Sequence, residues 1–200
     1  MTVFAISLKI GIISDSFNAL GGMDKNIECG YLPPDIEILQ DDSGTDEGRG
    51  MAQVVHASAK NAKIAFYAPE AGNLADFANG IQELYEAGVD VIADDLGTSG
   101  EPFFQWGPVA TAANAVARDH GIPYFSAIGN NAGGSWAGGP YQAGPCPDWV
   151  PEGRATSCHV FENGKNFQKI ELLRSTDALQ FEFQFASPSK NSGPVRANAS

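Results

Sequence analysis

Four polar segments each follow a short apolar run: Asp15 after Leu8–Ser14, the acidic stretch Asp41–Glu47 after Ile36–Leu39, Asp94-Asp95 after Val89–Ala93, and Gly129-Asn130 after Ile122–Ala127. Carboxylates can take or give a proton or orient a neighbouring base. A side-chain amide such as that of Asn130 can donate to a developing oxyanion. An Asp after a strand is also an ordinary turn or cap residue, so the signal lies in four such segments following one another. The histidines add little. His56 falls nine residues after Glu47 and so on the opposite face of a helix, and His120 sits at a helix end before Gly121. His159 with Cys146 and Cys158 makes too few ligands for zinc. The stretch Asp41–Asp46 could hold a Ca²⁺ ion, but its spacing is not that of a regular calcium loop, and a solvated turn is the expectation. No cofactor is implied. Cys146 and Cys158 could close a loop in an oxidising compartment, and Cys29 is expected to be a buried free thiol.

The elements that must position these residues follow from periodicity. Apolar, β-branched runs at Leu8–Asp15, Ile36–Leu39, Lys63–Tyr67, Val89–Ala93 and Ile122–Ala127 read as five strands. Between them, Gly50–Ala59, Asn73–Ala87 and Val109–Asp119 carry helical spacing, the second stopped by Gly88. Strand and helix alternating with short joints predict an α/β fold, a doubly wound parallel sheet with helices on both faces. In such a sheet ligands bind beyond the carboxyl ends of the strands, which is where Asp15, Asp41–Glu47, Asp94-Asp95 and Gly129-Asn130 would gather. After Asn131 the helical pattern stops. Residues 132–158 are Gly, Pro and aromatic loop, and Phe167–Leu173 and Leu179–Phe185 alternate with period two around a polar spacer, as a hairpin does. The division predicted is an α/β core at 1–131 and a small antiparallel β-rich insertion at 132–200, with the chain end reading as cut within it.

Taken together, Ile13-Ser14-Asp15-Ser16-Phe17, the helix opening Asp46-Glu47-Gly48-Arg49-Gly50-Met51-Ala52, Asp95-Leu96-Gly97 and Ser126-Ala127-Ile128-Gly129-Asn130 resemble the subtilase superfamily of subtilisin-like and sedolisin-like serine peptidases in order and spacing. The resemblance covers roughly residues 8–131. It implies a subtilisin-like fold and endopeptidase hydrolysis of polypeptides through an acyl-enzyme. It further implies that Asp15 ends the first strand as the orienting acid, that Asp95, Leu96, Gly97 and Gly129 line the substrate groove, and that Asn130 holds the oxyanion. The β segment after Asn131 resembles an insertion found in some large bacterial relatives, which implies an extracellular or cell-surface location.

Two departures qualify what the resemblance implies. Glu47 stands where the superfamily has its catalytic His. The sedolisin branch places a glutamate there with a second carboxylate one turn on, but here that residue is Met51, so Asp15 is the expected partner, sharing a proton with Glu47 and favouring acidic operation. The nucleophile motif Gly-Thr-Ser-x-Ala-x-Pro does not occur after Asn130. Gly97-Thr98-Ser99-Gly100-Glu101-Pro102 resembles it but precedes the oxyanion turn, and Ser99 reads as a loop residue. Residues 1–200 alone are therefore expected to be inactive.

Composition sets the outer bounds. The 200 residues carry 12 basic and 24 acidic side chains, a net charge of −12, which offers no basic stripe for nucleic acid. No run of 18 apolar residues is present, so no membrane span is expected, and the first ten residues lack the basic leader and cleavage site of a signal peptide. Two other readings use the same residues. Lys9–Phe17, Ala87–Asp94 and His120–Phe125 also resemble two-lobed periplasmic small-molecule-binding proteins, and a non-catalytic subtilase-like module of a cell-surface protein would tolerate Glu47 and a missing serine. Oligomeric state is not legible.

Overall fold

The computed structural model describes residues 8–98, 100–130, 140–167 and 169. These group into two compact units, one formed by residues up to Pro102 together with Trp106–Asn130, the other by Phe103–Gln105 and the described residues after 131. Ser99, Asn131 and nearly all of the expected hairpin at 167–185 lie outside the described residues.

In the first unit, β1 (Lys9–Ile13), β2 (Glu37–Gln40), β3 (Lys63–Tyr67), β4 (Val91–Asp94) and β5 (Tyr124–Ser126) form one parallel sheet in the order β2-β3-β1-β4-β5. Strands buried on both faces need apolar residues at successive positions, and Ile12 and Ile13 show this, both fully buried but pointing to opposite sides. Ile12, Ile64 and Phe66 form one core with α1 (Met23–Glu28) and α2 (Glu47–Ser58), through Met23, Ile27, Ala52 and Val55. Ile13, Ala65 and Ile92 form the other with α3 (Leu74–Glu86) and α4 (Pro108–Asn114), through Phe77, Ile81, Leu84 and Ala112. The expected α/β class is present, with helices on both faces. The helix expected at Val109–Asp119 is α4 continued by a wider π-helical turn, Ala115–Asp119. Helix α1 was not legible: it is only six residues long, too short for a periodic pattern.

Sheet order and helix placement together fix the hand of the crossovers. The step from β2 to β3 runs across the sheet in the same direction as the steps from β3 to β4 and from β4 to β5, yet α2 lies on the opposite face from α3 and α4. The step from β1 to β2 runs the other way with α1 on the face of α2, which gives it the same hand as the α3 and α4 connections. The α2 crossover is therefore of the opposite hand to the other three. Since about 98% of such crossovers are right-handed, it is the left-handed one. It carries the chain from the sheet edge back over β3, so that α2 begins beside the end of β1.

The second unit contains a two-stranded antiparallel sheet of β6 (Ala143–Gly144) and β7 (Cys158–His159). A disulfide joins Cys146 to Cys158, closing a loop of the size for which such a bond stabilises by about 3 kcal/mol. Cys29, expected to be buried, is exposed. It follows α1 as its C-cap, and two residues beyond the inward-packed Ile27 it lies about 200° round the helix axis. No helix among the described residues is long and apolar enough to cross a membrane.

Two helical glycines separate packing from propensity. A Cβ at Gly80 in α3 would stand 2.5 Å from the Tyr67 ring, whereas one at Gly50 in α2 would meet nothing within 4 Å. Gly80→Ala is expected to cost about 1–3 kcal/mol through overpacking. Gly50→Ala should add about 0.5–1 kcal/mol by restricting the unfolded chain and favouring helix. Urea unfolding of the two variants beside the parent chain checks both signs.

Candidate functional site

A cleft of about 180 Å³ opens at the carboxyl ends of the strands, its walls contributed by the loops after β1, β2, β3 and β4. Asp15 comes from the first, Asp42 and Ser43 from the second, Pro69 to Asn73 from the third, and Leu96, Gly97 and Thr98 from the fourth, with Phe77 of α3 behind them. Sheets of this type leave a crevice where successive connections depart to opposite faces, and here the α1 and α2 connections leave on one face and those of α3 and α4 on the other.

Asp15 is the most heavily bonded group in the cleft. Its Oδ2 accepts the Thr45 N–H at 2.6 Å and the Thr45 hydroxyl at 2.5 Å, while Oδ1 accepts the N–H groups of Ser16 at 2.5 Å and Glu47 at 3.0 Å. The N-cap of α2, Asp46, makes no side-chain cap bond, so a carboxylate from another loop fulfils the role at the helix start. Asp46 has φ +60°, the only positive φ among the described non-glycine residues. Its buried carboxylate instead pairs with Arg49 at 2.7 Å and accepts the Ser16 hydroxyl at 3.2 Å. In return the Asp46 N–H donates to Ser16 Oγ at 2.7 Å, and Asp41 accepts the Phe17 and Asn18 N–H groups at 2.7 and 2.9 Å. The acidic stretch keeps Asp41, Ser43 and Thr45 exposed, as a solvated turn does, but it is more than that. It is one half of a reciprocal hydrogen-bonded lock between the loops after β1 and β2. Gly48 lets the two close up, since a Cβ there would strike the Phe66 ring and the Ser16 carbonyl.

The carboxylates nearby differ by environment. Burial by itself would raise the proton affinity of Asp15, but the Thr45 hydroxyl and the N–H groups of Thr45, Ser16 and Gly48 outweigh it and hold the group below its ordinary value of 3.8. Asp94 and Asp95 are pushed the other way, first by burial. Asp94 accepts the Ser126 hydroxyl at 2.9 Å and is raised further by Asp95. Asp95 feels the negative charge of Asp15, offset in part by the Ser14 hydroxyl. Behind the β3 loop, Asp76 accepts from the Tyr67 hydroxyl at 2.8 Å, Gln40 Nε2 at 2.9 Å and the Glu70 N–H at 2.7 Å, which fixes that wall.

Of the residues expected at the site, Asp15, Leu96 and Gly97 line the cleft, and Asp95 sits beside Asp15. Glu47 meets Asp15 only through its backbone N–H. Its side chain is exposed and enters no hydrogen bond or ion pair among the described residues. The proton sharing expected between Asp15 and Glu47 is thus not the arrangement these contacts favour, because Asp15 is saturated by donors that stabilise its ionised form. Gly129 and Asn130 lie exposed beyond β5, outside the cleft lining. None of the three histidines lines it: His56 is buried in α2, His120 stacks on Tyr85 with ring centroids 4.2 Å apart, and His159 belongs to the second unit. Among the described residues no group of three or more His, Cys, Asp and Glu side chains could hold a metal ion. Sequence reading missed Glu70, although Pro69-Glu70 follows β3 as directly as Asp15 follows β1.

Asp15 should govern acid stability. Its proton affinity is lower folded than unfolded, so its contribution is present above the unfolded value and lost as pH falls through the folded one. Asp15→Asn is expected to cost about 1–3 kcal/mol near neutrality. In urea unfolding followed against pH, the gap between parent and variant should close as the medium is acidified below 3.8.

A scan against protein-family models finds no match for this chain, and no curated protein sequence matches it.

Proposed function

We propose that the first unit is the subtilisin-like core of a serine-type endopeptidase acting on polypeptides. The observation that carries this reading is the placement of Asp15: it follows the central strand, its carboxylate meets the start of α2 where Glu47 stands, and the Leu96–Thr98 segment after β4 lines the same cleft. That is the relation between orienting acid, base-bearing helix and groove strand that the sequence resemblance implies. In this reading the nucleophilic serine lies outside the described residues. Glu47 takes its proton, Asp15 remains ionised and fixes the helix that carries Glu47, Asp95, Leu96, Gly97 and Gly129 border the extended substrate backbone, and Asn130 donates to the oxyanion. The Cys146–Cys158 disulfide supports the extracellular or cell-surface location that the resemblance implies.

One observation favours a second reading, a non-catalytic module on the same core. The Asp15 carboxylate is occupied by structural bonds, and the Glu47 side chain is free in solvent.

The two readings separate in a cleavage assay across pH, using the protein as expressed from its natural gene. Acid-optimal turnover that falls at least about 100-fold in Glu47→Gln, within the range of a general base, supports the peptidase. A folded protein with no turnover at any pH overturns it in favour of the module. Residues 1–200 alone should not cleave casein, and cleavage abolished by Ser99→Ala would show that the nucleophile has been misplaced.

A further inference from the structure

Strands β1 and β4 run side by side with Ile13 opposite Asp94, and the Asp95 N–H donates to the Ile13 carbonyl at 3.4 Å. The next positions, Ser14 and Asp95, therefore lie next to each other. Alternation along the strands sends both side chains to the face of Ile12, opposite to that of Ile13 and Asp94. Ser14 is fully buried, and neither its Oγ nor the buried Asp95 Oδ1 has a hydrogen-bond partner in good geometry. Asp15, with both its oxygens already filled by donors, is two positions past Ile13 in this register, and its charge raises the proton affinity of Asp95.

A buried carboxylate oxygen with only one hydroxyl beside it, out of good hydrogen-bond geometry, is costly when the group is charged, and a second carboxylate alongside adds to the cost. Asp15 cannot relieve it by taking a proton, because its Thr45, Ser16 and Glu47 donors all require an acceptor. Asp95 can. Protonated, it becomes a hydrogen-bond donor for which the Ser14 oxygen is an adjacent acceptor. The charged groups acting on this carboxyl are Asp15 from the β1 side and Asp94 on its own strand, both negative, so they favour the same outcome.

We propose that Asp95 is the proton-holding partner of Asp15, and that this pair supplies the second carboxylate that Met51 fails to provide one turn after Glu47. The inference rests on the peptidase reading only for its use in acid-dependent turnover. The pairing itself belongs to the strands. Asp95 immediately precedes the Leu96–Thr98 wall of the cleft, so its proton is held beside the bound backbone. Asp15 and Asp95 titrate as one coupled unit, the first proton lost from Asp15 and the second from Asp95.

Carboxyl-carbon NMR titration of residues 1–200 tests this without reference to activity. Asp95 is expected to lose its proton at least about one pH unit above Asp15, tenfold in affinity. The Asp15 carboxyl carbon should show a second, smaller inflection at the Asp95 midpoint, and that inflection should vanish in Asp95→Asn, which leaves the Asp15 lock in place. An Asp95 midpoint at the ordinary aspartate value, or an Asp15 curve unchanged by Asp95→Asn, overturns the pairing. In the protein expressed from its natural gene, Asp95→Asn should move one limb of the rate-against-pH profile. Coupled titration in a protein that turns over nothing would keep the pair and sink the peptidase reading, whereas turnover with an unmoved profile would do the reverse.

Discussion

The carboxylate of Asp15 ties together two of the loops at the carboxyl ends of the first unit's strands. The loop after β1 and the loop after β2 both end strands of a parallel sheet, and both would leave N–H groups without partners as they turn away. Asp15 takes those of Thr45 and Glu47, and Asp41 and Asp46 take those of Phe17, Asn18 and Leu20 in the reverse direction. The exchange is what allows α2 to start above β1 after a left-handed crossover, a connection that strand twist disfavours. It also accounts for the strained Asp46 backbone: the residue gives up an ordinary cap conformation so that its carboxylate can reach Ser16 and Arg49. Strain of this kind persists only where surrounding bonds over-determine it.

The same lock sets the chemistry available in the cleft. Asp15, Asp94 and Asp95 are the same side chain at the ends of two adjacent strands, yet they behave differently because donors are unequally shared. Asp15 has a full set and stays ionised. Asp94 has the Ser126 hydroxyl, and Asp95 has one oxygen buried with only the Ser14 hydroxyl beside it and no hydrogen bond in good geometry. Unequal burial and unequal donors thus separate the proton affinities of neighbouring carboxyl groups. Glu47, on the exposed first turn of α2, belongs to neither environment.

Much of the fold was legible from residue patterns. Leu8–Asp15, Lys63–Tyr67 and Asn73–Ala87 announce themselves by apolar period and by stop signals such as Gly88, and their observed bounds differ by a residue or two. Boundaries slipped where tertiary contacts decide them. Helix α2 begins at Glu47, three residues before its periodic pattern, because Asp15 caps it from another loop. Helix α1 and the exposure of Cys29 were not legible, since a six-residue helix carries no period and a lone cysteine gives no direction. The cleft was legible as a place, the strand ends, and Asp15, Asp42, Leu96 and Gly97 were among the residues expected there, but its full membership was not: Glu70 lines it, and Asn130 does not.

By itself, then, the sequence determined the elements, their alternation and the rim on which polar residues would gather, because apolar period and strand-end polarity are local properties of the chain. Only the tertiary structure decided which carboxylates meet. Strand order places β1 between β3 and β4, and that puts Asp15 and Ser14 beside Asp95, about 80 residues away along the chain. Proton affinity depends on burial and on donors brought from other loops, and no residue carries that information in its own neighbourhood.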